Sequence, residues 1–98
     1  MMELTSKQRK ILEKAAHDLQ PVVIVGGAGV TEGVISMVAN SLKAHELLKI
    51  KFNEYKDEKV ELTQNICSQC NATLVRIIGN VAILYKEAEK KEDRKYSL

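Results

Sequence analysis

The stretch PVVIVGGAGVTEGV, residues 21–34, decides how the chain folds. Val22 to Val25 are apolar and β-branched without alternation, which predicts a short strand covered on both faces. The run stops at Gly26-Gly27-Ala28-Gly29. Thr31 then offers a helix N-cap, and Glu32 sits where an acid favours the positive end of the helix dipole. The unit is a strand, a glycine turn and a helix. Only five glycines occur in 98 residues, and three fall in these four positions. Glycine gathers where main chain takes positive φ or must come close to something.

Upstream, residues 4–19 predict an amphipathic helix. Leu4, Gln8, Ile11, Leu12, Ala15, Ala16 and Leu19 repeat at the spacing of one helical face, with Thr5 or Ser6 as cap. Lys7, Lys10 and Lys14 form a stripe placed along the edge of that face, His17 follows one turn on, and Arg9 projects from the other flank. Downstream, the helix that begins at Thr31 carries Val34, Ile35, Val38, Ala39 and Leu42 and ends near Ala44-His45. Leu48, Ile50 and Phe52 alternate with Lys49, Lys51 and Asn53, which predicts a strand with a basic outer side. Tyr55 to Glu58 read as a polar loop. Residues 59–70 predict a third helix with Val60, Thr63, Ile66, Cys67 and Cys70 on one side and Asn71 as its left-handed stop. Leu74 to Ile78, Gly79-Asn80 and Val81 to Tyr85 predict a two-residue hairpin with a type II′ turn.

The order is α-β-α-β-α-β-β. Two right-handed crossovers and a hairpin give a single four-stranded mixed sheet packed with three helices, an α/β fold. One small domain, residues 1–86, holds the apolar segments. Residues 87–98 form a charged tail, read as a helix extension or frayed end. No apolar run approaches the roughly 20 residues of a membrane span. The charged N-terminus has no apolar segment behind it, so no signal peptide is expected. A bacterial-type cytoplasmic protein is the simplest reading.

Net charge is +2, too small to name a partner. Cys67 and Cys70 lack a second ligand pair and lie in a helical pattern, so no metal site is expected and both thiols read as small packing residues. His17 and His45 have no carboxylate or nucleophile placed by pattern to make a triad. With one Phe and three Tyr, a stacking platform for single strands is not expected.

Three readings fit Gly26 to Gly29. One is a tight turn and nothing more. A second is a dinucleotide fingerprint through Gly27, Gly29 and Gly33, but the next strand lacks its ribose-binding acid and the sheet is too short. The third is a G-x-x-G clamp, in which glycines bring free amides against a nucleic-acid backbone. The basic stripe of the first helix favours the third, because Lys and Arg neutralise phosphates.

Leu4 to Lys10, Ala16-His17, Pro21 to Val23, Gly26-x-x-Gly29 with Val30 to Val34, Ala44 to Lys49, and Leu74 to Tyr85 together resemble the CRM domain, and more closely its stand-alone bacterial YhbY-like members. The resemblance covers about residues 3–86. It implies a fold similar to the C-terminal domain of translation initiation factor three. It also implies RNA binding and association with maturing large ribosomal subunits, with ribosomal RNA or the pre-ribosomal large subunit as partner. Gly26 and Gly29 carry over as the family's loop, with Lys7, Arg9 and Lys10 as its basic surface. One departure is plain. The inner loop positions commonly read Lys-Asn in the family and here are Gly27-Ala28, which leaves a backbone contact without the side chains.

The expected RNA-binding residues are therefore Gly26, Gly27, Ala28, Gly29, Thr31, Lys7, Arg9, Lys10 and Lys14. No catalytic residue, cofactor, small-molecule substrate or membrane contact is expected. The alternative is a protein-interaction module that docks on a ribosomal protein or assembly factor and touches RNA incidentally.

Overall fold

A computed structural model describes residues 2–98. Three helices, α1 (Ser6–Ala16), α2 (Glu32–His45) and α3 (Lys59–Cys70), pack with four strands, β1 (Val23–Val25), β2 (Leu47–Phe52), β3 (Thr73–Ile78) and β4 (Val81–Tyr85). The element order is the predicted one, and the sheet is mixed. β1 and β2 are parallel, and β4 runs antiparallel to both β2 and β3. The spatial order is β1-β2-β4-β3, so the hairpin inserts its second strand between the two that the α3 crossover links.

Local chemistry sets the boundaries. Thr5 caps α1 in a reciprocal capping box with Gln8. Thr31 caps α2 by accepting from the Val34 amide at 3.2 Å. Asn71 ends α3 at φ 56°, a left-handed stop. Gly79 opens the β3–β4 turn at φ 59°, as a type II′ turn requires.

The sheet divides the core in two. On one side, Val38 and Leu42 of α2 and Ile66, Cys67 and Cys70 of α3 pack against Val25, Leu48, Ile50, Phe52, Ala82 and Leu84. Burial pushes the Cys67 thiol up to about 11, with the Cys70 charge adding to it, and burial raises Cys70 as well. Both are packing residues and poor nucleophiles. On the other side, α1 alone sets Leu12 and Ala16 against Leu47, Val75, Ile83 and Tyr85. One short helix cannot cover four strands, so part of this face stays open.

That open part corrects the reading of β1 as covered on both faces. β1 is an edge strand, and Ile24 is 56% exposed. Val60 likewise leaves the predicted buried side of α3 and is exposed, while Leu62 packs inward.

The tail is neither a helix extension nor a frayed end. After one short 3-10 turn at Lys91–Asp93 it runs back along the body. Buried Glu46, at φ 63°, accepts from the Ala88 and Lys95 amides, and its own carbonyl accepts from Lys86. Tyr96 and Leu98 then pack beside Met2 and Leu4 against the α1 core. The Tyr96 ring meets the Tyr85 ring edge-on at 6.3 Å.

Candidate nucleic-acid interface

β1, β2 and β3 are mutually parallel, so their C-terminal ends lie together at one end of the sheet. Three connections leave from there: Gly26 to Thr31, Asn53 to Glu58, and Gly79-Asn80. The first is a tight turn in which the Gly29 amide donates to the Gly26 carbonyl at 2.9 Å and Gly29 takes φ +74°. Gly26 is half-buried, whereas Gly27 and Ala28 are exposed at the tip. Among the described residues, the Gly27 and Ala28 amides donate to no protein acceptor, which leaves two N–H groups for an outside anion. The Thr31 oxygen accepts the Val34 amide as the cap, which leaves its O–H as a donor beside the turn.

One contact at this turn was missed from sequence. Tyr55, read as part of a polar loop, donates its hydroxyl to the Gly27 carbonyl at 2.9 Å and lays its ring edge beside Gly29. A Cβ built on Gly29 would lie 3.5 Å from that ring. The only signal available in the sequence was an isolated aromatic in a polar connection.

The cations are arranged differently from the expected stripe. At about 100° per residue, Lys7, Lys10 and Lys14 fall opposite Leu12 and Ala16, on the outer face of α1, and all three are exposed. Arg9 turns inward, and its Nε donates to the Val75 carbonyl at 2.7 Å, which ties α1 to β3. Lys49 is similarly engaged, with Nζ donating to the His17 and Leu19 carbonyls. Arg76 pairs with Glu13 at 2.8 Å.

Loop and lysines are not immediate neighbours. Arg9 fixes the first half of α1 over β3, three strand spacings or about 14 Å from the edge where β1 ends. Between them lies the open half of the sheet. Register aligns Ile24, Lys51, Val81 and Ile78 across it, one from each strand. Lys51 is exposed and shares the side of Leu47 and Lys49, which face α1. Ile78 is 57% exposed. α1 runs from β3, where Arg9 ties it, toward β2, where Lys49 holds the chain just after it, so the helix and the G-x-x-G turn both border one uncovered surface with a lysine in its middle.

Electrostatics differ between the margins. Near the turn, exposed Glu32, Glu54, Asp57 and Glu58 outnumber Lys56. An anion there is held by amides and the α2 dipole against those acids. The α1 margin supplies the net positive charge. Among the described residues no group of acids, histidines or cysteines is arranged to hold a metal ion. Nor is any helix among them long and apolar enough to cross a membrane.

Residues 4–86 match the model of the CRS1/YhbY (CRM) domain. The chain belongs to that family. It is similar to an RNA-binding protein of Haemophilus influenzae, 40% identical over 91 residues and covering 92% of each chain. It is also similar to the Bacillus subtilis protein named "Probable RNA-binding protein YqeI", 34% identical over 88 residues, 89% of this chain and 92% of that one. A solution structure of a Staphylococcus aureus hypothetical protein, put forward as RNA-binding, superimposes with a TM-score of 0.78 at 27% identity. That match covers 97% of this chain and all of the other. The expected family and fold are those found, and the relatives' names carry RNA binding rather than an enzymatic activity.

Proposed function

We propose that this CRM-domain protein is a non-enzymatic RNA-binding protein of the cytoplasm, acting on ribosomal or precursor RNA during assembly of the large ribosomal subunit. The observation that carries the reading is the pairing of two contact types around one open face. Free amides of Gly27 and Ala28 border it at the turn, and exposed Lys7, Lys10 and Lys14 lie on the outer face of α1. An RNA laid across this side of the protein would meet both. The lysines neutralise phosphates, and the turn fixes the register by close backbone approach. The names of its relatives support an RNA partner, and the resemblance to stand-alone bacterial members supports the ribosomal one.

The exposed Ile24 and Ile78 favour a second reading, a module that docks on a ribosomal protein or assembly factor. Salt separates the two. Binding to a large-subunit ribosomal RNA fragment should weaken steeply with salt, and Lys7→Gln, Lys10→Gln and Lys14→Gln together should lower the logarithmic slope by about three. A flat salt response with no effect of these changes would refute RNA docking and leave the protein partner. Sedimentation of extract at low and high salt then asks whether large-subunit precursors carry the protein. Its absence from those particles would reject the ribosomal assignment while leaving RNA binding intact.

A further inference from the structure

Tyr55 combines two features that do not belong together in a structural residue. Its backbone is left-handed, at φ 56° and ψ 38°. For a bulky L-residue that conformation is strained, and glycine or asparagine would take it more readily. A buried ring could offset the cost, but Tyr55 is 43% exposed. What the conformation achieves is placement. The hydroxyl is fixed on the Gly27 carbonyl and one ring edge rests by Gly29, so the ring is held while much of its surface stays in water. Beside it lies a shallow, open cleft lined by Gly27, Tyr55 and Lys56 and by the acids Glu54, Asp57 and Glu58.

The charge of that lining selects what can occupy it. Three carboxylates against one lysine disfavour a phosphate in the floor of the cleft and leave the turn amides at its rim as the place for one. A nucleobase is neutral, has a π-face for the ring and carries N–H donors that carboxylates accept. The free amides of Gly27 and Ala28 lie on the same turn that the ring touches. We propose that Tyr55 is a base-stacking residue: an unpaired RNA nucleotide lays its base on the exposed tyrosine ring, in the cleft, with its phosphate on the Gly27-Ala28 amides. The inference rests on the RNA-binding reading and narrows it, since a base inside a helix cannot reach the ring. The partner must present a loop, bulge or end next to the paired region that α1 meets. One stacked base at Tyr55 is not the single-strand platform that the few aromatics argue against.

The test compares a hairpin RNA, whose unpaired loop carries one 5-iodouridine, with a fully paired duplex of the same stem. Asparagine tolerates the left-handed backbone, so Tyr55→Asn should fold normally. It should bind the hairpin about tenfold more weakly and the duplex as well as the unchanged protein does. Tyr55→Phe removes the bond to Gly27 but keeps the ring, and should stay within about twofold of the unchanged protein on both probes. Irradiation should cross-link the iodouridine to position 55 in the Tyr and Phe forms. If Tyr55→Asn binds the hairpin normally, or Tyr55→Phe falls as far as Tyr55→Asn, the ring only buttresses the turn and the stacking role is wrong. A protein that binds neither probe overturns the RNA-binding reading, and this inference with it.

Discussion

The two ends of the sheet use the same device for opposite purposes. At the end where α2 hands over to β2, Glu46 takes a positive φ and is buried, and its carboxylate gathers backbone amides from the returning tail. At the end where β1, β2 and β3 finish, Gly29, Tyr55 and Gly79 take positive φ, and neither Tyr55 nor Gly79 is buried. Strain at Glu46 is offset inside the molecule by hydrogen bonds to a buried charge. Strain at Tyr55 is met by one exposed hydrogen bond, and much of the residue stays in water. The difference teaches how to read a strained residue. Where burial accounts for it, the residue holds the fold together. Where neither burial nor the turn and helix-stop chemistry of a glycine or asparagine does, as at Tyr55, the conformation points to a role outside the fold.

The largest expected effect lies at the buried end. Glu46→Ala removes the acceptor for two backbone amides and loosens the tail that brings Tyr96 and Leu98 onto the α1 core. Hydrogen bonds to a charged group contribute roughly 1.5–3 kcal/mol each, so a loss of about 3 kcal/mol is expected in urea denaturation. RNA affinity should stay within about twofold once the protein is folded. A comparable fall in affinity of the folded variant would erase the contrast between the two ends.

A smaller stability effect with a larger binding effect is expected at the other end. Gly29→Val places a β-branched residue at φ +74°, with its Cβ beside the Tyr55 ring. The backbone penalty is about 1–2 kcal/mol. Because the turn carries the free amides, RNA affinity should fall about tenfold. Gly29→Asn tolerates the backbone, so it should restore most of the stability and show how much of the binding loss is steric. The salt slope should not change in either variant, since no cation is touched. If Gly29→Val lowers stability and leaves affinity intact, the turn is only a turn.

Much of the fold was legible, and the reasons for the gaps are specific. The hairpin turn at Gly79-Asn80, the limits of α3 and the caps at Thr31 and Asn71 depend on neighbours in sequence, and each stands where predicted. Insertion of β4 between β2 and β3 depends on edge pairing, which no local pattern encodes. The lysine stripe was misplaced by Ile11. Counting it as apolar rotated the predicted buried face of α1 toward Lys7 and Lys14, but Ile11 is exposed and the face is centred on Leu12 and Ala16. Tail docking was hidden because its anchor, Glu46, looks like an ordinary solvated acid until the fold surrounds it. Of the site, the turn was legible from its glycines. Tyr55 was not, since its role comes from a contact 28 positions away along the chain.

The smallest expected effect probes a flaw in the buried end. Tyr85 is fully buried at the end of β4, beside Tyr96, and its hydroxyl has no hydrogen-bond partner among the described residues. A buried tyrosine usually finds one, and leaving a hydroxyl unsatisfied costs about 1 kcal/mol or more. Tyr85→Phe keeps the ring and removes the unmet group, so it should raise stability at neutral pH by about 1 kcal/mol. The pH dependence carries a second signature. Burial, with the nearby Glu46 charge adding to it, pushes the Tyr85 phenol up to about 12 from its ordinary value of 10.0. The unfolded chain therefore releases this proton first, and the folded state loses stability as pH rises from about 10 to about 12. Tyr85→Phe abolishes that component. Cys67, raised from 9.0 to about 11, still contributes alkaline loss in both proteins, starting lower. The stability gap between variant and parent should thus be nearly constant to about pH 10 and widen above it. If Tyr85→Phe is instead less stable at neutral pH, the hydroxyl has a partner in solution and the buried end is as well satisfied at Tyr85 as it is at Glu46.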